Sequence, residues 1–432
     1  MNDASPPAAT ADASPPAATA EGSWYREMTP KGKRTFWACF TGYGLDAFDV
    51  QIYSLAITGI IAALALTNQQ VGIIATSTLL ASAFGGWFAG ILADRFGRVR
   101  TLQITVVWFA AFTFLSGFAQ NFEQLLICRA LMGLGFGGEW SAGAVLIAEV
   151  IAPKHRGKAV GFVQSAWAVG WAFAVLVSTV LFSVFPPELA WRWLFWFGLM
   201  PAAAAAVIRR FIDEPEVYVQ SQEKLKAAGD TVKISEIFSP SILKTTVLCS
   251  ILTTGAQGGY YALGTWLPSF LKNERGLSVI GSGGYLAVII LGSFAGYLSG
   301  AYLADRIGRR NKFRVFAIGA FLMVIAYTSL PIPNSLMLIL GFPLGFFSSG
   351  IFAAMGAYLT ENFPTRIRAA GQGFTYNFGR GIAALNPTLI GMAAATMGLG
   401  KAIAVLAAGS YALVLIVTFL LPETRGKKLE AD

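Results

Sequence analysis

Apolar residues run along this chain in blocks of about 20, long enough to cross the hydrocarbon core of a bilayer as helices. The blocks lie near 36–62, 71–93, 101–119, 123–147, 158–182 and 192–209. After a charged stretch they resume near 243–271, 281–303, 313–330, 336–358, 369–393 and 401–421. Six and six predict an all-α integral membrane protein of twelve transmembrane helices in two bundles. The boundaries that follow are a polar tail over 1–30, a first bundle over 31–209, a cytoplasmic linker over 210–242, a second bundle over 243–421 and a tail over 422–432. The first tail repeats DASPPAATA at 3–11 and 12–20, a composition that cannot bury a core and reads as disordered.

Composition agrees: 55% of residues are hydrophobic and 13% charged, where a soluble domain carries about 25%. The net charge of +9 is explained by where the cations sit. On the side shared by the two termini lie 26 of the 32 Lys and Arg, Lys312 among them in the loop between spans 8 and 9. Four lie opposite, Arg192, Lys272, Arg275 and Lys401, and two, Arg129 and Arg380, fall inside spans. Cytoplasmic loops carry the excess of basic residues, so both termini are expected in the cytoplasm of a multi-pass cell-membrane protein. The charge is topology and not a nucleic-acid footprint. Cys39, Cys128 and Cys249 are scattered through apolar runs, and the single histidine, His155, lies in a loop. No metal spacing, cofactor motif or nucleophile constellation is present, so neither a metal nor a cofactor nor an enzyme is expected.

The two halves are copies. GILADRFGRVR at 90–100 recurs as GAYLADRIGRR at 300–310, which sets Asp94 and Asp305 211 residues apart. AEVIAPKHRGKAVG at 148–161 pairs with TENFPTRIRAAGQG at 360–373, and Pro153 and Pro364 show the same offset. Duplicated six-helix halves predict alternating access around a site near the midplane. Gly90 allows close helix approach, and Asp94 can pair with Arg95, Arg98 or arginines of a facing loop. Asp305, Arg306 and Arg309 repeat the arrangement. Glu149 with Arg156, and Glu361 with Arg368, would complete one charge cluster per half, a cytoplasmic gate that releases when the halves rock.

These loops, with CRALMGLGFGG at 128–138 and PETRG at 422–426, resemble the major facilitator superfamily over everything after the first tail. LDAFD on span 1, GGEWSAG on span 4 and AEVIAPKHRGKA resemble its proton-coupled carboxylate branches: the sialate:H+ group with its monocarboxylate members, and the neighbouring metabolite and aromatic-acid symporters. The resemblance implies that spans 1 and 4 line one half of a cavity and that an acid–arginine pair there couples transport to protons.

Ionisable residues inside a bilayer are rare and face a cavity or a partner. Asp46 and Asp49 are spaced i,i+3 on span 1 and share a face. Arg129 lies on span 4, close enough to the depth of Asp49 for its long side chain to reach. Arg129, Gly133 and Gly137 form an i,i+4,i+8 row against which a second helix can pack closely. A carboxylate beside a guanidinium stays ionised, and one buried away from it takes up a proton. Asp49 with Arg129 is therefore the expected proton-coupling pair, with Asp46 and Glu139 as further proton sites. Arg380 sits at the centre of span 11 with no acid at its depth in spans 7–12, and a substrate carboxylate suits its bidentate fork. At similar depth lie Gln257, Tyr260 and Tyr261 on span 7, Gln164 and Trp167 on span 5, and Tyr376 and Asn377 on span 11.

Span 5 holds no proline, which argues against a drug exchanger. The expected function is a proton-coupled symporter, monomeric, that imports a small organic carboxylate: a monocarboxylate, a sialic-acid-like or an aromatic acid. The expected partners are the organic anion, the proton and the lipid bilayer. A sugar or polyol facilitator or symporter is the alternative.

Overall fold

The computed structural model describes residues 25–26, 28–96, 98–150, 156–199, 234–364 and 367–425. The helices of the first half are α1 (Pro30–Leu64), α2 (Asn68–Phe96), α3 (Arg98–Ser116), α4 (Phe122–Val150), α5 (Arg156–Val184) and α6 (Pro187–Phe197). The second half holds α7 (Leu243–Asn273), α8 (Val279–Ile307), α9 (Arg309–Ser329), α10 (Asn334–Gly350), α11 (Met355–Asn362), α12 (Arg368–Ala383), α13 (Asn386–Met397) and α14 (Leu399–Leu420). Eight helical stretches among the described residues are long and apolar enough to cross a membrane. The four other predicted segments fall on α4, α6, α7 and the α12–α13 pair. In lipid every backbone polar group must be satisfied within the chain, which helices achieve. Phe84, Phe88, Leu176, Leu291, Ile339, Ile416 and Phe419 point outward, as a lipid-facing surface requires.

The internal repeat is visible in the packing. In the first half α1 lies against α5 and α6, and α2 against α4; in the second, α7 lies against α12 and α14, and α8 against α10. Small residues set the spacing of the α2–α4 and α8–α10 pairs. A Cβ on Gly137 would stand 1.8 Å from the Ser82 carbonyl oxygen, and one on Gly345 would stand 1.9 Å from that of Ile289. The Gly133–Gly137 row thus receives α2, as its spacing predicts. The halves meet along α5–α8, α2–α12, α2–α13 and α1–α7. Thr76 Oγ1 donates across this seam to the Ala384 carbonyl at 2.6 Å.

Two segments read from the sequence as single spans are broken. Span 10 is α10 and α11 joined by a 3₁₀ turn, Ile351–Ala354. Span 11 breaks between α12 and α13, just before Asn386 and Pro387. Proline supplies no N–H and crowds the carbonyl four residues back, which explains the second break. Asn386 braces it by donating to the Gly258 carbonyl at 2.9 Å. At the first break the Ile351 carbonyl accepts from Lys312 Nζ at 2.6 Å. Lys312, assigned above to a loop, is fully buried, with Phe313 and Phe316 at 4.6 and 5.2 Å from its ammonium. Its chain position suggested a loop, but its side chain turns inward to the freed carbonyl. Most of the 210–242 linker and the N-terminal tail lie outside the described residues; a short 3₁₀ segment, Ile234–Phe238, leads into α7.

Candidate functional site

The described ionisable residues read within the spans are buried in both halves. Asp46 and Asp49 are 1% and 4% exposed on α1, Arg129 is 2% exposed on α4, and Arg380 is 3% exposed on α12. Four ionisable side chains at this depth would be costly as packing alone.

The first-half group departs from the expected contact. Asp49 and Arg129 make no ion pair within 4.0 Å, although each lies within electrostatic reach of the other. Arg129 instead lays its guanidinium over the rings of Tyr53 on α1, at 5.1 Å, and Phe195 on α6, at 5.5 Å. Such stacking holds a desolvated cation through the ring quadrupole. Tyr53 is fixed in turn by donating its hydroxyl to the Val71 carbonyl at 2.8 Å. Asp49 Oδ1 and Arg129 Nε and Nη1 are buried without a hydrogen-bond partner, and the Thr113 hydroxyl of α3 lies beside the Asp49 carboxylate. The acid and the base are thus set near each other, unjoined, with spare hydrogen-bonding capacity on both.

Arg380 is held differently. Its guanidinium stands 5.2 Å from the Tyr376 ring on its own helix and 5.3 Å from the Phe136 ring on α4, across the boundary between halves. Nε and Nη1 are buried and unpartnered. No acid forms an ion pair with it among the described residues. Unpaired N–H groups on a buried guanidinium leave capacity for charge-assisted hydrogen bonds. A hydrogen-bonding surface left unpaired in this way costs free energy that a ligand recovers.

Aromatic faces enclose this cation. Tyr260 on α7 accepts a hydrogen bond from Trp167 Nε1 on α5, a second link between the halves. Tyr43 stands 5.3 Å from Trp167, Phe136 6.5 Å from Trp167, and Phe352 of the span 10 break 5.5 Å from Tyr260. Gln257 donates to the Tyr376 carbonyl at 2.9 Å and receives the Tyr261 hydroxyl at 3.4 Å, so it ties α7 to α12. Asn377 donates to Gly373 at 3.0 Å, and its Oδ1 fits against the bare Cα of Gly86. The Oδ1 of Asn377 and the Oε1 of Gln164 are buried acceptors without a donor. Each sequence-predicted second-half residue therefore reaches this region, but Gln257 and Asn377 are partly spent on helix packing. Tyr43, Phe136 and Phe352 were not anticipated. Ring positions 3.6 residues apart on separate helices give no sign of which will meet.

At the end of the bundle that holds the termini, the second-half charge cluster is assembled around Arg309. It pairs with Asp305 at 2.5 Å and with Glu361 at 3.1 Å. Arg306, expected to take part, is exposed and has no ion-pair partner among the described residues. The PETRG segment completes the cluster. Glu423 accepts from the Arg309 and Arg310 amides at 2.8 and 3.1 Å and so caps α9, and Thr424 Oγ1 donates to Glu361 at 2.5 Å. The junction needs Gly308, whose φ of +92° other residues rarely adopt. The side chains of Asp94, Arg95, Arg98, Glu139, Glu149, Arg156 and Arg368, and the surroundings of Gly90, lie outside the described residues.

With the geometry in place, comparison with known proteins bears on it. A family model described as Major Facilitator Superfamily matches residues 39–387. A protein of Cupriavidus pinatubonensis named as a probable 4-methylmuconolactone transporter is 42% identical over 94% of this chain and 94% of its own length. The cis,cis-muconate transport protein of Acinetobacter baylyi is 31% identical over 90% of this chain and 94% of its own. The crystal structure of a D-xylose–proton symporter superposes with a TM-score of 0.73 over 92% of this chain and 99% of that one, at 19% identity, a likeness of fold alone.

Proposed function

The chain belongs to the Major Facilitator Superfamily, a family of transporters and not of enzymes, and from that premise we propose that it imports a small unsaturated or aromatic carboxylate together with a proton. One observation carries the substrate class: Arg380, buried at the midplane, offers two unpartnered N–H groups between aromatic faces. A flat conjugated acid places its carboxylate on that guanidinium and its carbon skeleton against Phe136, Tyr376 and Tyr260. Relatives named for muconate and 4-methylmuconolactone, both compact and unsaturated, support this reading. A neutral sugar would leave the guanidinium unpaired.

Proton coupling is assigned to Asp49 beside Arg129, with Asp46 and Glu139 as secondary proton sites. Asp49 and Arg129 stand apart with unused donors and acceptors, so a small rocking of α1 against α4 changes their coupling. The cycle runs from an outward-facing state with Asp49 protonated, through binding at Arg380, to opening at the charge clusters on the cytoplasmic face and release inside. The basic loops support a cytoplasmic location of both termini, and a pathway within one chain supports a monomeric transporter.

The test is proton uptake by proteoliposomes that hold the purified protein and an internal pH dye. They are challenged with cis,cis-muconate, 4-methylmuconolactone, nicotinate and D-xylose. The expected result is acidification driven by an acid and lost in Asp49→Asn. Xylose flux without proton movement, unchanged in Arg380→Ala, would overturn the reading.

A further inference from the structure

At the end of the bundle opposite the termini, a cleft opens where both halves contribute walls. It is lined by Ser54 and Thr58 of α1, Ser178 and Thr179 of α5, Lys272 of α7 and Ser282 of α8, among others. The cleft has a cavity volume of about 40 Å³ beneath an open mouth, room for a carboxylate group or a few waters and not for a whole substrate. We propose that this cleft is an outer anion-binding site in which Lys272 receives the carboxylate of an incoming substrate before it passes to Arg380.

Lys272 is the cation in the cleft lining; of the other three at this end, Lys401 is exposed and outside that lining. Arg192 is consumed by the Gly117 and Ala119 carbonyls at 2.8 and 2.7 Å. Arg275 is bound to the Ile332 carbonyl and to Asn334 Oδ1. The nearest acid along the chain, Glu274, is turned away to accept from the Leu399 and Gly400 amides and cap α14. Lys272 is half-buried and meets only Thr58 Oγ1, at 3.3 Å and across the boundary between halves. No carboxylate forms an ion pair with it among the described residues.

A second, independent feature marks the cleft as a polar receptor. Ser282 is 7% exposed, and its hydroxyl is buried in the lining with no hydrogen-bond partner. A buried unpaired hydroxyl is costly unless something completes it. An ammonium on α7 and a free hydroxyl on α8, both in the lining, are two donors suited to the oxygens of a carboxylate. The floor of the cleft leads inward: Ser54 lies five residues, about 8 Å of helix rise, from Asp49. An anion that binds Lys272 also replaces the Thr58 contact, so its arrival loosens a tie between α1 and α7.

This inference rests on the carboxylate reading above, and the test separates the two. The full chain in nanodiscs is titrated with cis,cis-muconate and, as a neutral control, D-xylose, in wild type and three variants. In Arg380→Ala the central site is lost, and a weaker muconate site remains. In Arg380→Ala/Lys272→Gln that residual affinity falls at least tenfold, whereas Arg380→Ala/Lys272→Arg retains it. No residual binding in Arg380→Ala, or equal residual binding after Lys272→Gln, overturns the outer site. Failure of the central reading looks different, because wild type and Arg380→Ala would then bind muconate alike.

Discussion

Replacing Arg380 tests substrate binding and stability at once, in opposite directions. Its Nε and Nη1 are buried and unpartnered on different edges of the guanidinium, so an acid whose oxygens reach both gains two charge-assisted hydrogen bonds of about 1.5–3 kcal/mol each. Losing both in Arg380→Gln costs about 3–6 kcal/mol, or roughly 10²- to 10⁴-fold in affinity at 1.4 kcal/mol per tenfold. Arg380→Lys keeps the charge but not the planar fork, and its loss falls between wild type and Arg380→Gln. Without ligand the balance reverses. The guanidinium is a buried cation packed against the Phe136 and Tyr376 rings, with the hydroxyls of Tyr376, Tyr261 and Tyr43 nearby. Apolar replacement of buried charge is neutral to stabilising by about 1–4 kcal/mol, so Arg380→Met unfolds at the same or a higher temperature while it no longer binds. Equilibrium binding of labelled muconate and thermal unfolding in detergent read the two effects. Affinity within threefold of wild type in Arg380→Gln, or a Tm several degrees lower in Arg380→Met, would refute the assignment of Arg380 as an unpaired anion receptor.

Three further outcomes follow from particular contacts. Asp49→Asn, close to isosteric, retains substrate exchange between equal pools but moves no protons, which counterflow with an internal pH dye resolves. Gly137→Ala sets a methyl 1.8 Å from the Ser82 carbonyl and 2.5 Å from the Gly86 amide, forces α2 and α4 apart at a cost of about 1–3 kcal/mol or more, and lowers the Tm. Gly409→Ala meets open space and serves as the unchanged control. Burial would raise the Glu423 carboxyl, but the amides of Arg309, Arg425, Arg310 and Thr424 outweigh it and hold the group below its ordinary value of 4.5. A carboxylate lowered in the folded state adds stability that is present at neutral pH and lost as pH falls through the lowered value. Protection of the Arg309 and Arg310 amides from hydrogen exchange is therefore constant above pH 5 and declines only below pH 4.5, and it is weakened at neutral pH in Glu423→Gln.

The architecture was legible because its causes are periodic. Blocks of apolar length and motifs offset by 211 residues are one-dimensional signals, and the helices and the matching packing of the two halves follow them. Arg380 was legible for a related reason: a charge in an apolar run is conspicuous, and its lack of an acid at that depth could be counted. What could not be read was rotation. Arg129 turns to Tyr53 and Phe195 and makes no direct contact with Asp49, because which side of α4 faces α6 depends on how separate helices seat together. Lys312 looked like one more loop cation, yet it neutralises a carbonyl freed by a helix break 39 residues later. The break at Pro387 carried a local signal; the one at Ile351–Ala354 did not, since no proline stands within it.

The charges of the two halves differ in kind, and the difference bears on coupling. The first half holds its acid and its arginine close but unjoined, while the second holds an arginine with no acid. Arg380 stacks on Phe136, and Phe136 stands on the same helix as Arg129, seven residues and about two turns away. Under the proposed reading, a carboxylate that neutralises Arg380 also fills the space against that ring and presses on α4. Movement of α4 alters the distance between Arg129 and Asp49, which already sit beyond ion-pair contact, and so alters the field in which Asp49 holds its proton. A substrate without the anion would occupy the space and leave Arg380 unpaired, so it would move α4 without the electrostatic gain that makes the step favourable. Selection for the acid and coupling to the proton would then rest on one stacked pair, Arg380 on Phe136. Phe136→Leu is expected to keep binding within about tenfold and to lower the number of protons moved per substrate, a ratio that the proteoliposome assay measures directly; an unchanged ratio with weakened binding would make Phe136 a wall and nothing more.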